Sequence, residues 1–263
     1  MPRGIAIEQR KMSEDSKSTK TFSSDAESAS RADLARLLGE CPIPQDQILA
    51  NLGLFLDSKN LARILCMDFL YQKVVEVQGV VMEFGTHWGQ NLAIFSALRG
   101  IYDSFNRHRK IIGFDTFEGF PDIHAKDGSS ELMKTGNVSV SEGYEDFLNE
   151  VLNAHEKLNP LSHIPKFELR KGDVSETLSD YLEDHPHTIV ALAYFDLDLY
   201  EPTKQCLENI KPRIVKGSLL AFDELNDADS PGETIALLES IGLNNIRLQR
   251  HPRTSRISYF IYE

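Results

Sequence analysis

The chain has 263 residues, enough for one large domain, or one domain with additions, around a sizeable core. Hydrophobic residues make up 41% and charged residues 26%, the balance of an ordinary soluble globular protein. The formal net charge of −12 argues against broad nucleic-acid or anionic-membrane binding, which needs basic surfaces, but leaves room for a local basic patch.

Residues 1–30 are rich in Ser, Lys, Asp and Glu and read as a disordered leader. Apolar residues at three- and four-residue spacing in "RADLARLLGE" and "NLARILCMDFLYQKVVEV" predict N-terminal helices over 31–78, covering one side of the core. From there the periodicity alternates. Strands are predicted at Val80–Gly85, Lys110–Asp115, Phe167–Asp173, Ile189–Asp196, Ser218–Asp223, Asn245–Gln249 and Ile257–Tyr262. Helices are predicted at Gln90–Tyr102, Tyr144–Lys157, Ser175–Glu183, Thr203–Ile210 and Gly232–Ile241. Alternating strand and helix means a parallel sheet with helices on both faces. The short "HPRTSR" joins the last two strands as a hairpin, so the final strand should run antiparallel. The long connection over about 120–165 is expected to contain a lid or insertion.

Cys41, Cys66 and Cys206 lie far apart and form no CxxC pair, so reduced thiols are expected rather than disulfides or a thiolate metal site. No apolar run is long enough to span a bilayer and no signal peptide is evident, so the sequence reads as cytoplasmic.

In doubly wound sheets, ligands bind beyond the carboxyl ends of the strands. The first strand ends "VVMEFGTHWGQN", giving Glu83, Gly85 and Gly89 before a helix. This is G-x-x-x-G, not the dinucleotide G-x-G-x-x-G; it suits either a nucleotide-like ligand or a tight turn. The second strand ends "IIGFDTFEGFPD", where Asp115 could accept from two ribose hydroxyls or serve as a loop acid. The third ends "LRKGDVSETL", where Asp173 could accept from an adenine amino group, or Asp173 and Ser175 could simply cap the next helix. The fourth ends "FDLDLYEPT", with Asp196 and Asp198. The fifth ends "LLAFDEL", with Asp223 and Glu224. Neighbouring fourth and fifth strands would bring these acids together. Clustered carboxylates repel unless protons or a cation compensate them. A hard divalent cation such as Mg²⁺ is the natural partner for such oxygen ligands.

Together these motifs resemble the macrocin O-methyltransferase family, S-adenosylmethionine-dependent and metal-dependent sugar O-methyltransferases of antibiotic biosynthesis. The resemblance runs from Val80 to Leu225 and is carried by "MEFGTHWGQN", "GFDTFEGFPD", "KGDVSETL" and "FDLDLYEPT" followed by "LLAFDEL". It implies a class I methyltransferase (Rossmann-like) domain over 79–263, with a seven-stranded sheet whose last strand is antiparallel. It implies S-adenosylmethionine held by Glu83, Gly85, Thr86, His87, Gly89, Asn91, Asp115, Phe117, Asp173, Val174, Ser175 and Asp196. It makes Asp196 the general base, and it makes Asp196, Asp223 and Glu224 the Mg²⁺ ligands; an Asp is usual in the family at position 224. Trp88, in the variable part of the glycine motif, is expected to pack. In the lid, His124 and Lys126 either meet the acceptor sugar, as contacts or a second base, or are solvated. The resemblance further implies a glycoside substrate and a homodimer. The rival readings are a metal-dependent O-methyltransferase of a catechol-like or other diol, a nucleoside-binding protein without turnover, and a nicotinamide dehydrogenase. The last lacks its glycine fingerprint.

Overall fold

The protein is described here by a computed structural model, covering residues 23–263. The expected leader at 1–30 falls mostly outside these residues, but its last part is helical. Helix α1 spans Asp25–Gly39. Ser24 Oγ accepts the Glu27 N–H, and the Glu27 carboxylate accepts the Ser24 N–H, a reciprocal cap that starts the helix ahead of Ala32. A short α2 (Gln45–Ile48), a 3₁₀ turn (Leu49–Phe55) and α3 (Ser58–Val74) follow. Asp57 caps α3 by accepting the Asn60 N–H at 2.7 Å.

The strands are β1 (Val80–Phe84), β2 (Ile111–Asp115), β3 (Phe167–Lys171), β4 (Val190–Phe195), β5 (Ile214–Phe222), β6 (Gln249–Arg250) and β7 (Ser258–Ile261). They form one sheet in the order β3-β2-β1-β4-β5-β7-β6. The first five pair in parallel, and β7 runs antiparallel between β5 and β6. The seven-stranded sheet with its reversed last strand is therefore as expected. Helices α4 (Gln90–Tyr102), α5 (Tyr144–Leu158), α6 (Val174–Asp184), α7 (Tyr200–Ile210) and α8 (Gly232–Ser240) complete the fold.

Some boundaries differ from the sequence reading. Helix α7 begins at Tyr200 rather than Thr203 because Pro202 lies in its first turn, where its missing N–H costs nothing. Strand β6 shrinks to two residues because Leu243–Asn245 form a 3₁₀ turn.

Strand alternation divides the core in two. Val81, Ile111, Tyr194 and Leu219 pack with Cys66, Met67 and Leu70 of α3, with Phe95 of α4 and with Leu148 of α5. Met82, Ile112, Ala193 and Leu220 pack with Leu178 of α6, Leu207 of α7 and Leu237 of α8. On this second face, four strands end in phenylalanines that meet across the sheet. Phe84 lies 5.2 Å from Phe114 and 5.0 Å from Phe195, and Phe195 stacks on Phe222 at 4.7 Å, centroid to centroid. Each such pair contributes about 0.5–1.5 kcal/mol beyond its area burial. The strand register is thereby fixed at the carboxyl edge. The residues one step further on, Gly85, Asp115, Asp196 and Asp223, consequently stand in one rank, and alternation turns them toward the α3 side.

Candidate active site

The rank of strand ends borders a cavity of ≈ 530 Å³, within the size range of small-molecule sites. It opens where the strand order reverses between β1 and β4, the topological switch point of such sheets. Its wall includes Gly85, His87, Asp115, Asp173, Val174, Ser175, Asp196 and Asp198. Of the expected cofactor residues, the first seven of these line the cavity; Glu83, Thr86, Gly89, Asn91 and Phe117 do not.

Those five shape the wall from behind. Gly89 has φ +75°, and a Cβ there would meet Leu148 Cδ1 at 2.3 Å, so the glycine serves helix packing rather than ligand approach. Gly85 has φ +86°, and its Cβ would lie 1.9 Å from the Asp196 carbonyl oxygen; β1 and β4 touch backbone to backbone. The Thr86 hydroxyl donates to the Phe114 carbonyl at 3.5 Å. Asn91 donates to Glu83 Oε1 at 2.8 Å. Burial pushes the Glu83 carboxyl well above the usual carboxylate range.

Asp115 organises two loops at once. Its Oδ2 accepts the His87 N–H at 2.7 Å and its Oδ1 accepts the Phe117 N–H at 2.6 Å. Both donors have left-handed backbones, φ +49° and +59°. Asp173 accepts the Ser175 N–H at 2.8 Å and so caps α6, while also facing the cavity. Trp88, expected to pack, is 43% exposed and sets its ring edge-on to Tyr144.

The acids of β4 and β5 converge, and the residue joining them was absent from the sequence reading. Arg63 of α3 donates from Nη2 to Asp196 Oδ2 at 2.9 Å, from Nη1 to Asp223 Oδ1 at 3.0 Å, and from Nε to Asn91 Oδ1 at 3.1 Å. Burial opposes its charge, but Tyr194, Asp223 and Asp196 outweigh that and raise its pKa. The Tyr194 hydroxyl also donates to Asp223 Oδ1, at 2.6 Å. Arg256 pairs with Asp223 Oδ2 at 3.2 Å and with Glu224 Oε1, while Ser230 donates to Glu224 Oε2. Burial pushes the Asp196 carboxyl up to about 7; Asp223 adds to the rise, and Arg63 and Arg256 oppose it. Asp198 has φ +61°, and its carboxyl is raised well above the usual range, first by burial and then by Asp196. Beneath this loop lies the fully buried Glu233, which accepts the Leu197 N–H at 2.9 Å and is pushed up to about 8 by burial.

The expected metal ligands are thus drawn together, but around guanidinium groups. Among the described residues, no group of three or more His, Cys, Asp or Glu is arranged to hold a metal ion. As placed, Asp196, Asp223 and Glu224 do not form a cation site; two arginines compensate their charge.

The expected lid separates into two parts. Helix α5 is an ordinary crossover, while 116–143 is irregular and covers the cavity. Asp127, almost fully buried, accepts the Tyr200 N–H at 2.5 Å and the His124 N–H at 2.7 Å. Phe120 and Met133 pack with Leu199 in a small separate core. His124 lines the cavity. Lys126 does not; it donates to the Tyr200 hydroxyl at 3.0 Å and to Glu239 at 2.5 Å.

The sheet order and the switch-point cleft define a class I methyltransferase. The comparisons narrow this further. Residues 62–236 match the family described as Macrocin-O-methyltransferase (TylF), and the chain belongs to that family. It is accordingly an S-adenosylmethionine-dependent O-methyltransferase, and the dehydrogenase and non-catalytic readings fall away. The crystal structure of CalS11, a calicheamicin methyltransferase, is 43% identical with a TM-score of 0.90, the match covering 92% of this chain and 95% of that one. An apo structure of CalS11, described as a TDP-rhamnose 3′-O-methyltransferase of calicheamicin biosynthesis, is 41% identical with a TM-score of 0.82, covering 92% and 96%. The O-methyltransferase NovP shares the fold at 20% identity and a TM-score of 0.57, covering 76% and 79%. No curated protein sequence matches the chain. No helix among the described residues is long and apolar enough to cross a membrane.

Proposed function

We propose that the enzyme methylates a sugar hydroxyl of an antibiotic-type natural product, with Asp196 accepting the proton. The observation that carries this is the position of Asp196. It stands at the edge of a nucleoside-sized cavity, next to the Gly85 turn, with its pKa near neutrality and its orientation set by Arg63. The 43% identity to a calicheamicin methyltransferase over most of both chains supports a sugar acceptor.

The residues suit the donor. The backbone conformations at Gly85 and His87, the Asp115 carboxylate and the capped start of α6 at Asp173–Ser175 offer polar groups to a nucleoside. S-adenosylmethionine supplies an electrophilic methyl on a sulfonium and leaves as a neutral thioether. Asp196 removes the acceptor proton as the new carbon–oxygen bond forms and the carbon–sulfur bond breaks. Arg63 fixes the carboxylate from the opposite side, so the base needs no reorientation during transfer. The docked segment 116–143 walls one side of the cavity. Arg63 and Arg256 occupy the acids that would hold a divalent cation.

A homodimer belongs to the same proposal. The N-terminal elements α1, α2 and the 3₁₀ turn bury none of their residues and expose Leu37, Leu38, Leu49, Leu52 and Leu54. Short helices without packing are marginal in water, and a second copy offers a self-complementary face.

The test is isothermal titration with S-adenosylhomocysteine, followed by methyl transfer from labelled donor to a panel of deoxysugar glycosides. Binding without transfer to any sugar, but with transfer to a catechol, would replace this reading with the diol one.

A further inference from the structure

The chain carries 40 acidic and 28 basic residues, yet one of its cavities has no carboxylate in its wall. This cavity, of ≈ 130 Å³, opens at the amino ends of β1, β2 and β4, the edge of the sheet away from the reaction centre. Arg107, His108 and Lys110 line it from the approach to β2, and His185 and His187 from the turn between α6 and β4. Three of the chain's eight histidines therefore meet here. The cavity shares no residue with the reaction cavity, and the five residues of β1 put about 16 Å between them.

The wall is fixed from behind. Buried Arg109 donates to the carbonyls of Gly79 and Val77, each at 2.7 Å, and so holds the turn before β1. Arg213 donates to the Pro186 carbonyl at 2.6 Å and holds the turn between α6 and β4. The His185 ring stacks on buried Tyr181 at 4.5 Å, and its Nδ1–H donates to the Tyr181 carbonyl at 3.0 Å, so the imidazole keeps one orientation. Arg107 Nε donates to His108 Nε2 at 3.3 Å, which leaves the two terminal nitrogens of the guanidinium for a ligand. Arg107 and Lys110 form no ion pair among the described residues.

Cationic groups gathered in this way repel one another unless an anion compensates them. A metal ion does not serve. Among the described residues the imidazoles are not arranged to hold one, and a guanidinium and an ammonium stand beside them. The planar guanidinium fork matches the oxygens of a phosphate two at a time, and an ammonium adds a point charge to the same group. We infer that this cavity is a phosphate site, separate from the reaction centre, that takes inorganic phosphate or the phosphate of a small phosphorylated metabolite. Arg107 and Lys110 take its charge, and the three histidines line its sides. At ≈ 130 Å³ the cavity is far smaller than the ≈ 530 Å³ reaction cavity, so only the phosphate end of a larger ligand enters.

The experiment is calorimetric titration of the S-adenosylhomocysteine-saturated enzyme with inorganic phosphate and with glycerol 3-phosphate, at two salt concentrations. Saturation keeps the reaction cavity filled, so the heat reports a second site. At least one of the two compounds is expected to bind with a single equivalent, and to bind more weakly as salt rises. Arg107→Gln and Lys110→Gln should each weaken binding about threefold to tenfold, and the double variant should abolish it, with S-adenosylhomocysteine affinity unchanged. Neither replacement strands a partner acid, so both variants should fold as the wild type does. Tighter binding of the inorganic ion identifies free phosphate as the ligand; tighter binding of the ester identifies a phosphorylated metabolite. The inference is overturned if neither compound binds the wild type, or if the double variant binds them as the wild type does.

Discussion

Arg63 and Asp196 meet at 2.9 Å across 133 positions of the chain. One belongs to a helix that precedes the sheet and the other to the end of its fourth strand. The same guanidinium reaches Asp223, so one side chain sets the electrostatics of both central acids.

Replacing Arg63 with Gln should therefore leave Asp196 without its guanidinium partner and Asp223 with Arg256 alone. Breaking a buried ion pair costs about 3–5 kcal/mol; for this half-buried one, a loss of about 1–3 kcal/mol is expected once solvent screening is allowed for. Arg63→Lys keeps the charge but not the three-way fork, and should fold with transfer reduced about tenfold. Chemical denaturation alongside single-turnover transfer would separate the two effects. Full activity in Arg63→Gln would rule out a role in positioning the base.

Asp196→Asn should lower methyl transfer by about 10²–10⁴-fold, the usual worth of a positioned base. The fold should survive, since the change also removes like-charge repulsion with Asp223. S-adenosylhomocysteine should still bind within a few-fold of wild type by calorimetry. A transfer rate close to wild type would move the base elsewhere, with Asp198 the next carboxylate to test.

Asp127→Ala removes the acceptor of the buried Tyr200 N–H, at a cost of about 1–3 kcal/mol if it is left without a partner, and of the less buried His124 N–H. Limited proteolysis should then cut first within 116–143, and the KM for the methyl donor should rise more than kcat falls. An unchanged cleavage pattern would show that the small core of Phe120, Met133 and Leu199 holds the segment unaided.

Glu233 offers a prediction in pH. Its folded pKa, about 8, lies above the ordinary value of 4.5. A folded state that holds a proton more tightly than the unfolded chain is stabilised below the unfolded pKa and loses that advantage as pH rises toward 8. The expected slope is about 1.4 kcal/mol per pH unit across that window. Glu233→Gln cannot ionise and should flatten the stability profile between pH 5 and 8. Denaturant melts at four pH values would show it; parallel profiles for wild type and variant would count against a protonated Glu233.

Leu49 and Leu54 are 78% and 63% exposed in a segment with no core of its own. Changing both to Ser should shift sedimentation from dimer to monomer without unfolding the sheet domain. A wild type that sediments as a monomer would remove the dimer proposal.

Much of this was legible because four strands end alike. The pairs Phe84–Gly85, Phe114–Asp115, Phe195–Asp196 and Phe222–Asp223 each close an apolar run with an aromatic and a site residue, and the register aligns them. Arg63 went unread because its helix lies ahead of the sheet and looked like cover. A signal was present: Arg63 shares the three- and four-residue spacing of Cys66, Met67, Leu70 and Val74, the buried stripe of α3. A charge on such a stripe requires a partner. Glu233 sits in the same way beside Ala236 and Leu237. Asp127 carried no comparable signal, because it lies in a connection whose path to the start of α7 only the tertiary structure sets. The metal expectation followed from the clustered acids and from the family resemblance, and the arginines that the fold brings to those acids were not part of it.

The backbone contact at Gly85 also bears on how such an enzyme can change. Because the turn after β1 abuts the Asp196 carbonyl, the donor wall and the base cannot drift apart without parting two central strands. The lid, by contrast, is fastened to the rest of the site by a few side chains and can be exchanged without disturbing that joint. New acceptors can therefore be recruited by rewriting loops at the rim, while the step that moves the methyl group is inherited intact.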